Sequence, residues 1–325
     1  MIGLGAGYVL GNTILYYSVI GINNNDYQNS NIKNEKKLTK PAVIIFSGGE
    51  PNEYETFNIL KNIYKEEKIM NKAHGPIMAS QYKLAYEKVG NSKYVDLCKR
   101  INENLSLRLG TDYDLYSAYF NIEPDIYEEV NILSRQYEKL ILVPLMLSES
   151  KEYKKFKNTI DEGVLNNNTD IKIVPFLWNS QKLARQVSDK AMELVERKNI
   201  YSTGMILLIS NDESFYEQSI LSNEVVRKMA KSKFQEEKII CMKYNNDDLL
   251  LKSIKGLKLK GANNIIVISI SSLHNGIREQ NKINKLIKKI EKRDLIKIQH
   301  ISGWGIGDDL LNELEYRIRI TNLKN

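Results

Sequence analysis

The feature of this sequence that most constrains its fold is an internal duplication. Matched apolar segments recur in the same order in both halves. The matched pairs are AVIIFSGGE from Ala42 with MILLISNDE from Met205, LILVPLMLSES from Leu140 with NIIVISISSLH from Asn264, and IKIVPFLWN from Ile171 with IKIQHISGWG from Ile296. Short runs of Ile, Leu and Val are typical of strands buried on both faces of a parallel sheet. The duplication therefore predicts an α/β fold of two pseudo-symmetric lobes, each a parallel four-stranded sheet flanked by helices.

The spacing of the matched segments differs between the halves. Phe46 and Ile209 are 163 residues apart, whereas Ile141 and Ile265 are 124 apart, so the first half carries about 39 additional residues. We place this insertion at 69–109, inside a first lobe of 41–200 that precedes a second lobe of 201–325. Insertions into α/β units commonly form segments that cover a ligand.

The first 22 residues contain no charged side chain and are mostly apolar. A stretch of about 20 such residues is long enough to cross a bilayer. A buried helix of the globular part is the alternative, but a polar linker follows at 23–40, which favours a hydrophobic helix that anchors the chain in a membrane. The basic residues Lys36, Lys37 and Lys40 come after the segment, which favours a cytoplasmic main domain. If the natural start lies upstream and is basic, the main domain is extracytoplasmic instead.

Composition excludes two other classes of protein. The net charge of +7 comes mainly from lysines scattered along predicted helices, which indicates solvated helix faces and no nucleic-acid partner. Cys98 and Cys241 lie in different halves and form no CxxC motif. We therefore expect neither a disulfide framework nor an iron–sulfur cluster.

Ligands of parallel α/β sheets bind beyond the carboxyl ends of the strands. Here these ends are the segments 47–50, 148–151, 210–213 and 271–279. We expect them to surround one cleft between the lobes. The Ser47-Gly48-Gly49 segment could be a phosphate loop, but it lacks the GKS/T and GxGxxG patterns, so a plain turn is the better interpretation.

Two stretches resemble the ferrochelatase family. YKLAYEKVGNSKYVDLCKRINENL, from Tyr82, is similar to a family segment in which a Tyr precedes a Gly-rich turn, a Ser-Pro-Leu and a long helix. The later run, from Tyr116 through Pro124 to Pro144, resembles the family segment that ends in PLYPQYS. The resemblance covers roughly 41–320 at low identity. It implies a class II tetrapyrrole metal chelatase, the group of ferrochelatases and sirohydrochlorin chelatases, with its site between two α/β lobes.

The sequence departs from this family at the catalytic positions. Asp212 stands where ferrochelatases carry a catalytic His, and Gly276 stands where they carry an acidic partner, with Glu279 one helical turn further on. Sirohydrochlorin chelatases use His at the ends of lobe strands, and only His274 resembles that usage. These departures put catalysis in doubt.

Metal insertion requires a base that takes pyrrole protons and ligands that deliver the ion. Histidine suits both tasks because it titrates near neutral pH and binds metals when neutral. The chain has His74, expected in an exposed loop, His300, expected as a buried structural imidazole within a strand, and His274, expected in the cleft. We therefore predict His274 as the principal ligand of Fe²⁺, Co²⁺ or Ni²⁺. Three carboxylates complete the prediction, Asp212 and Glu279 as catalytic groups and Asp212 and Glu213 as metal ligands, although acidic residues here are also ordinary helix caps.

A second set of residues is predicted to bind the macrocycle. The inserted stretch 82–92 should cover the cleft, with flat faces from Tyr82 and Tyr86. Its floor and wall should come from Ser47, Gly48, Gly49 and Ser148. Trp178 and Trp304, at matched places in the two halves, are expected to be duplicated core residues.

Two function classes stay open at this point. One is a chelatase that inserts a divalent metal, its substrate, into a tetrapyrrole. The other is a chelatase-fold protein without catalysis that binds a tetrapyrrole, a metal or a partner protein. The missing signature residues favour the second, and the first-lobe insertion favours the first.

Overall fold

A computed structural model describes residues 36–65, 74–163, 168–195, 197–209, 215–244, 247–294 and 296–324. The predicted membrane anchor at 1–22 lies outside these residues, and so does most of the predicted linker. Within the described part of the chain, no helix is long and apolar enough to cross a membrane.

The first half forms a parallel sheet of four strands. They are β1 (Ala42–Ser47), β2 (Asp114–Tyr119), β3 (Lys139–Pro144) and β4 (Asp170–Ile173), in the spatial order β2-β1-β3-β4. The apolar runs of β1 and β3 are buried at the centre of this sheet, where Ala42 pairs with Leu140 and Phe46 with Pro144. Burial on both faces explains why these strands are continuously apolar rather than alternating.

The second half repeats this sheet. Its strands are β5 (Thr203–Ile209), β6 (Ile239–Lys243), β7 (Asn264–Ser269) and β8 (Lys297–Ile301), in the order β6-β5-β7-β8, again all parallel. The strands that contain Ala42 and Met205 thus hold equivalent positions. The predicted fold of two pseudo-symmetric parallel sheets is confirmed.

Ten α-helices among the described residues surround the sheets. In chain order they are α1 (Thr56–Lys65), α2 (Gly75–Val89), α3 (Tyr94–Leu109), α4 (Ile126–Gln136), α5 (Lys151–Asp161), α6 (Gln181–Glu193), α7 (Phe215–Lys231), α8 (Asp247–Leu259), α9 (Ile277–Asp294) and α10 (Asp308–Leu323). Several begin at a side-chain cap, as at Ser180, whose hydroxyl accepts from the backbone N–H of Leu183 at 3.0 Å.

The two helices α1 and α2 have no counterpart among the described residues of the second half. The described residues between β5 and β6 form one α-helix, α7, and α3 matches α7 because each packs against the last helix of the other half. Helices α1 and α2 share a small apolar cluster with Ile277, the first residue of α9. The additional helices of the first half therefore reach across to the second half.

The last helix of each half packs onto the other half. Helix α6 follows the first sheet but lies against α7, and α10 follows the second sheet but lies against α3, β3 and β4. Leu310, Leu314 and Ile318 of α10 are fully buried, and burial of one such side chain stabilises a fold by about 1.5–3 kcal/mol. One hydrophobic core consequently runs through both sheets.

Candidate functional site

A cleft of about 170 Å³ lies between the two halves. Its walls come from segments that follow the carboxyl ends of β1, β2, β3 and β7, which is where the sequence analysis placed the site. The lining residues are Gly48, Tyr94, Phe120, Asn121, Leu145, Met146, Ser150 and Glu152 from the first half and Ser271, Ser272 and Leu273 from the second.

The first-half wall is backed by a cluster of protonated groups. Ser47, the last residue of β1, is 1% exposed, and its hydroxyl lies 3.7 Å from the Sγ atom of Cys98. Burial raises the pKa of the Cys98 thiol to about 11, and the hydrogen bond from Ser47 only partly opposes this. Burial also raises the pKa values of the Tyr94 and Tyr119 phenols. These phenols and the thiol are therefore neutral at pH 7.

The Ser47-Gly48-Gly49 segment continues from β1 as irregular backbone that is hydrogen-bonded to the residues after β2. The backbone N–H of Asn121 donates to the Gly48 carbonyl at 2.9 Å. Gly49 has a φ of +80°, and a Cβ atom there would lie 2.8 Å from Cγ1 of Ile122. Only glycine fits such a position without displacing its neighbours.

His274 directly follows the lining residue Leu273 and is half-buried. Its Nδ1 atom lies 3.1 Å from the Ser302 hydroxyl, and its Nε2 atom lies 3.1 Å from the side-chain amide nitrogen of Gln280. Because an amide nitrogen only donates, Nε2 accepts and the ring proton is on Nδ1. Burial, and then the positive charges of Lys93 and Lys190, lower the pKa of His274. The ring is thus neutral, as a metal ligand must be, but a metal ion would have to displace Gln280 from Nε2.

Behind His274 a buried amide joins the ends of β7 and β8. Asn275 is 1% exposed and donates through Nδ2 to the Ser269 hydroxyl at 2.6 Å. Ser269 in turn lies 3.2 Å from Nε2 of His300. Burial and the neighbouring His274 lower the pKa of His300 to about 4. The predicted structural role of His300 fits this contact.

Of the predicted carboxylates, Glu279 is the one that lies among the described residues. Asp212 and Glu213 lie outside the described residues. Glu279 lies near Lys282 and Tyr244, beyond the end of β6, and burial raises its pKa although Lys282 opposes the shift. In the parts of the chain that the structure describes, no group of three His, Cys, Asp or Glu side chains could hold a metal ion.

Only some of the residues predicted to bind the macrocycle line the cleft. Gly48 lines the cleft, whereas at the end of β3 the lining serine is Ser150, not Ser148. Tyr86 is 7% exposed and donates to the Pro51 carbonyl at 2.6 Å, so both faces of its ring are packed within the α1–α2 cluster. Tyr82 lies under the guanidinium of Arg278, 4.8 Å from its ring centre. Tyr82 therefore joins α2 to α9 at the edge of the site.

Glu50 makes a contact between the halves that sequence reasoning missed. Its two carboxylate oxygens accept from the backbone N–H of Ile277 at 3.0 and 3.1 Å, and one also accepts from the Ser92 hydroxyl at 2.8 Å. A first-half carboxylate thus caps the amino terminus of a second-half helix, where negative charge is favourable. Burial nevertheless raises the pKa of Glu50. The available signal was the small residue Gly276 before α9, since a Cβ there would lie 3.2 Å from the Glu50 carboxylate.

Comparison with known proteins defines the class of this fold. No protein-family model matches the chain, and no curated protein sequence matches it. Among solved structures, the sirohydrochlorin chelatase SirB of Bacillus subtilis subspecies spizizenii, in complex with cobalt, aligns with a TM-score of 0.57 at 11% identity, over 87% of this chain and 95% of that one. Bacillus subtilis SirB with Fe³⁺ aligns with a TM-score of 0.58 at 11% identity, over 88% and 96% of the two chains.

A third similar structure belongs to a chain that is longer than this one. It is a multi-domain protein of Deinococcus radiodurans with structural similarity to chelatases, and it aligns with a TM-score of 0.55 at 10% identity over 88% of this chain and 56% of that one. Together these likenesses show that the chain has a class II chelatase-like fold, as its resemblance to ferrochelatases implies.

Proposed function

We propose that this protein binds a tetrapyrrole between its lobes and inserts a divalent metal ion, Fe²⁺, Co²⁺ or Ni²⁺, into the ring. The observation that carries the proposal is the neutral imidazole of His274 directly after the cleft residue Leu273. The likeness to structures of chelatases determined with cobalt or with iron supports it.

In this proposal the two walls of the cleft have different tasks. Phe120, Leu145 and Met146 supply apolar surface for the macrocycle, as is usual in cofactor sites. Glu152 is the one carboxylate among the described lining residues, and it takes protons from the pyrrole nitrogens. His274 binds the incoming ion through Nε2 once Gln280 has moved away.

The cleft is smaller than the usual sites for ligands of this kind. Sites for ligands of this kind have volumes of about 300–1,000 Å³, whereas this cleft has about 170 Å³. Binding of a ring therefore requires the cleft to widen. The contacts of α1 and α2 with α9, including the Glu50 carboxylate on Ile277, are among those that join the halves.

One observation favours the second candidate, a tetrapyrrole-binding protein without catalysis. Both ring nitrogens of His274 already have hydrogen-bond partners, and the described residues form no group of three metal-ligating side chains around it. Such a protein would bind the ring and leave it unmetallated.

The test is an insertion assay on the full chain. Sirohydrochlorin is mixed with the protein, Co²⁺ is added, and the absorption spectrum reports the metallated ring. We expect insertion above the uncatalysed rate, a loss of at least tenfold in His274→Ala, and no loss in His74→Ala, which removes an exposed imidazole. Binding of the ring without insertion would support the second candidate. If the protein binds neither the ring nor the metal, both candidates are wrong.

A further inference from the structure

At the cleft surface, the Ser272 hydroxyl donates its hydrogen to the protein and can therefore only accept from a ligand. Ser272 lines the cleft and donates its only hydrogen to Oδ1 of Asn275 at 2.9 Å. Among the described residues, no donor to the Ser272 hydroxyl is present. Its oxygen lone pairs therefore remain available to a ligand, and the hydroxyl acts there as an acceptor only.

A buried chain of hydrogen bonds holds Asn275 in this orientation. The Asn275 side chain accepts from Ser272 through Oδ1 and donates to Ser269 through Nδ2 at 2.6 Å. Ser269 then has its own hydrogen left for Nε2 of His300, 3.2 Å away, in the tautomer of the neutral ring that carries its proton on Nδ1. The direction of donation thus runs from Ser272 through Asn275 and Ser269 to His300.

The Asn275 backbone is fixed as well. Its N–H donates to the Ser302 carbonyl at 2.5 Å, and its carbonyl accepts from the Gln280 side chain at 2.6 Å. On the neighbouring strand connection, Gly303 comes so close that a Cβ atom there would lie 2.4 Å from the Leu273 carbonyl oxygen. The segment that carries Ser272 is therefore held on both sides, and its hydroxyl is positioned before any ligand arrives.

We propose that Ser272 distinguishes the metal-free ring from the metallated ring, with Asn275 as the positioning residue. This inference rests on the proposed function. A metal-free tetrapyrrole has pyrrole N–H donors, and these are lost when a metal replaces their protons. An acceptor in the wall of the cleft can bind the first ring and has no donor to bind in the second. The arrangement therefore favours the substrate and promotes release of the product.

The test compares two ligands on the full chain. Dissociation constants are measured by absorption titration for sirohydrochlorin and for its cobalt complex, with the parent protein, Ser272→Ala and Ser232→Ala. A single neutral hydrogen bond changes an affinity by about three- to tenfold. We expect Ser272→Ala to weaken binding of the metal-free ring by that factor and to leave the cobalt complex unaffected. Ser232→Ala, at an exposed serine after α7 and outside the cleft lining, should change neither.

A second variant tests whether Asn275 acts by orienting the Ser272 hydroxyl. Asn275→Leu leaves the hydroxyl of Ser272 in place but removes the group that directs it, so the preference for the metal-free ring should fall as in Ser272→Ala. Equal weakening of both ligands in Ser272→Ala would show a packing role and overturn the inference, as would an unchanged preference. If the parent protein binds neither ring, the proposed function fails first and the inference with it.

Discussion

The two halves of this protein have the same strand order and different cleft walls. At the first-half wall lie the Tyr94 phenol and the Cys98 thiol, acids whose pKa values burial raises. Behind the second-half wall lie His274 and His300, bases whose pKa values burial lowers. Burial thus keeps both pairs neutral at pH 7, the first by retaining protons and the second by excluding them. The duplication thus fixed the topology and left the wall chemistry free to diverge, so that one side can hold a ring and the other can present nitrogen to a metal.

The largest expected difference between the halves concerns their matched tryptophans. Trp304 is 1% exposed within the central core, whereas Trp178 is half-buried. Trp304→Ala should lower the free energy of unfolding by about 3–5 kcal/mol, and Trp178→Ala by about 1–2 kcal/mol because less apolar surface is lost. Urea denaturation measures both. Equal losses would mean that the two halves are packed alike at this position.

The second difference should appear in acid. The pKa of His300 is lowered from 6.5 to about 4 in the folded protein. The unfolded state therefore takes up a proton between pH 6.5 and 4 that the folded state does not, and stability falls as the pH falls through this window. The loss is at most about 3 kcal/mol. His300→Gln, which can keep a hydrogen bond to Ser269, should flatten the decline, and His74→Gln should not. The measurement is the melting temperature across pH 4–7.

The smallest difference should appear in alkali, on the first half. The pKa of Cys98 is raised from 9 to about 11, so the unfolded state loses the thiol proton first and stability falls as the pH rises from 9 to 11. The contribution is about 2 kcal/mol or less. Cys98→Ala should flatten this decline, and so should Cys241→Ala, because burial also raises the pKa of the Cys241 thiol to about 11. A decline that is the same in Cys98→Ala and the parent would contradict the contrast between the walls.

Sequence alone predicted the fold because its signal is local. The runs LILVP and NIIVIS become β3 and β7, and their equal positions follow from the order of the duplicated segments. The contacts of the site could not be predicted in this way. Asn275 meets Ser302 across 27 residues of sequence, and Glu50 meets Ile277 across 227. Neither pairing leaves a periodic pattern, since each depends on how loops meet after the sheets have formed.

The exchange of terminal helices has a consequence for the order in which the chain becomes stable. Helix α10 is made after the other described elements, yet it covers β3 and β4 of the first sheet. About 160 residues separate the end of β3 from the start of α10, and at a synthesis rate of about 5–20 residues per second this interval lasts roughly 8–30 seconds. During that time the apolar face of the first sheet lacks part of its native cover. The newly made first half should therefore expose apolar surface to chaperones until α10 has been made.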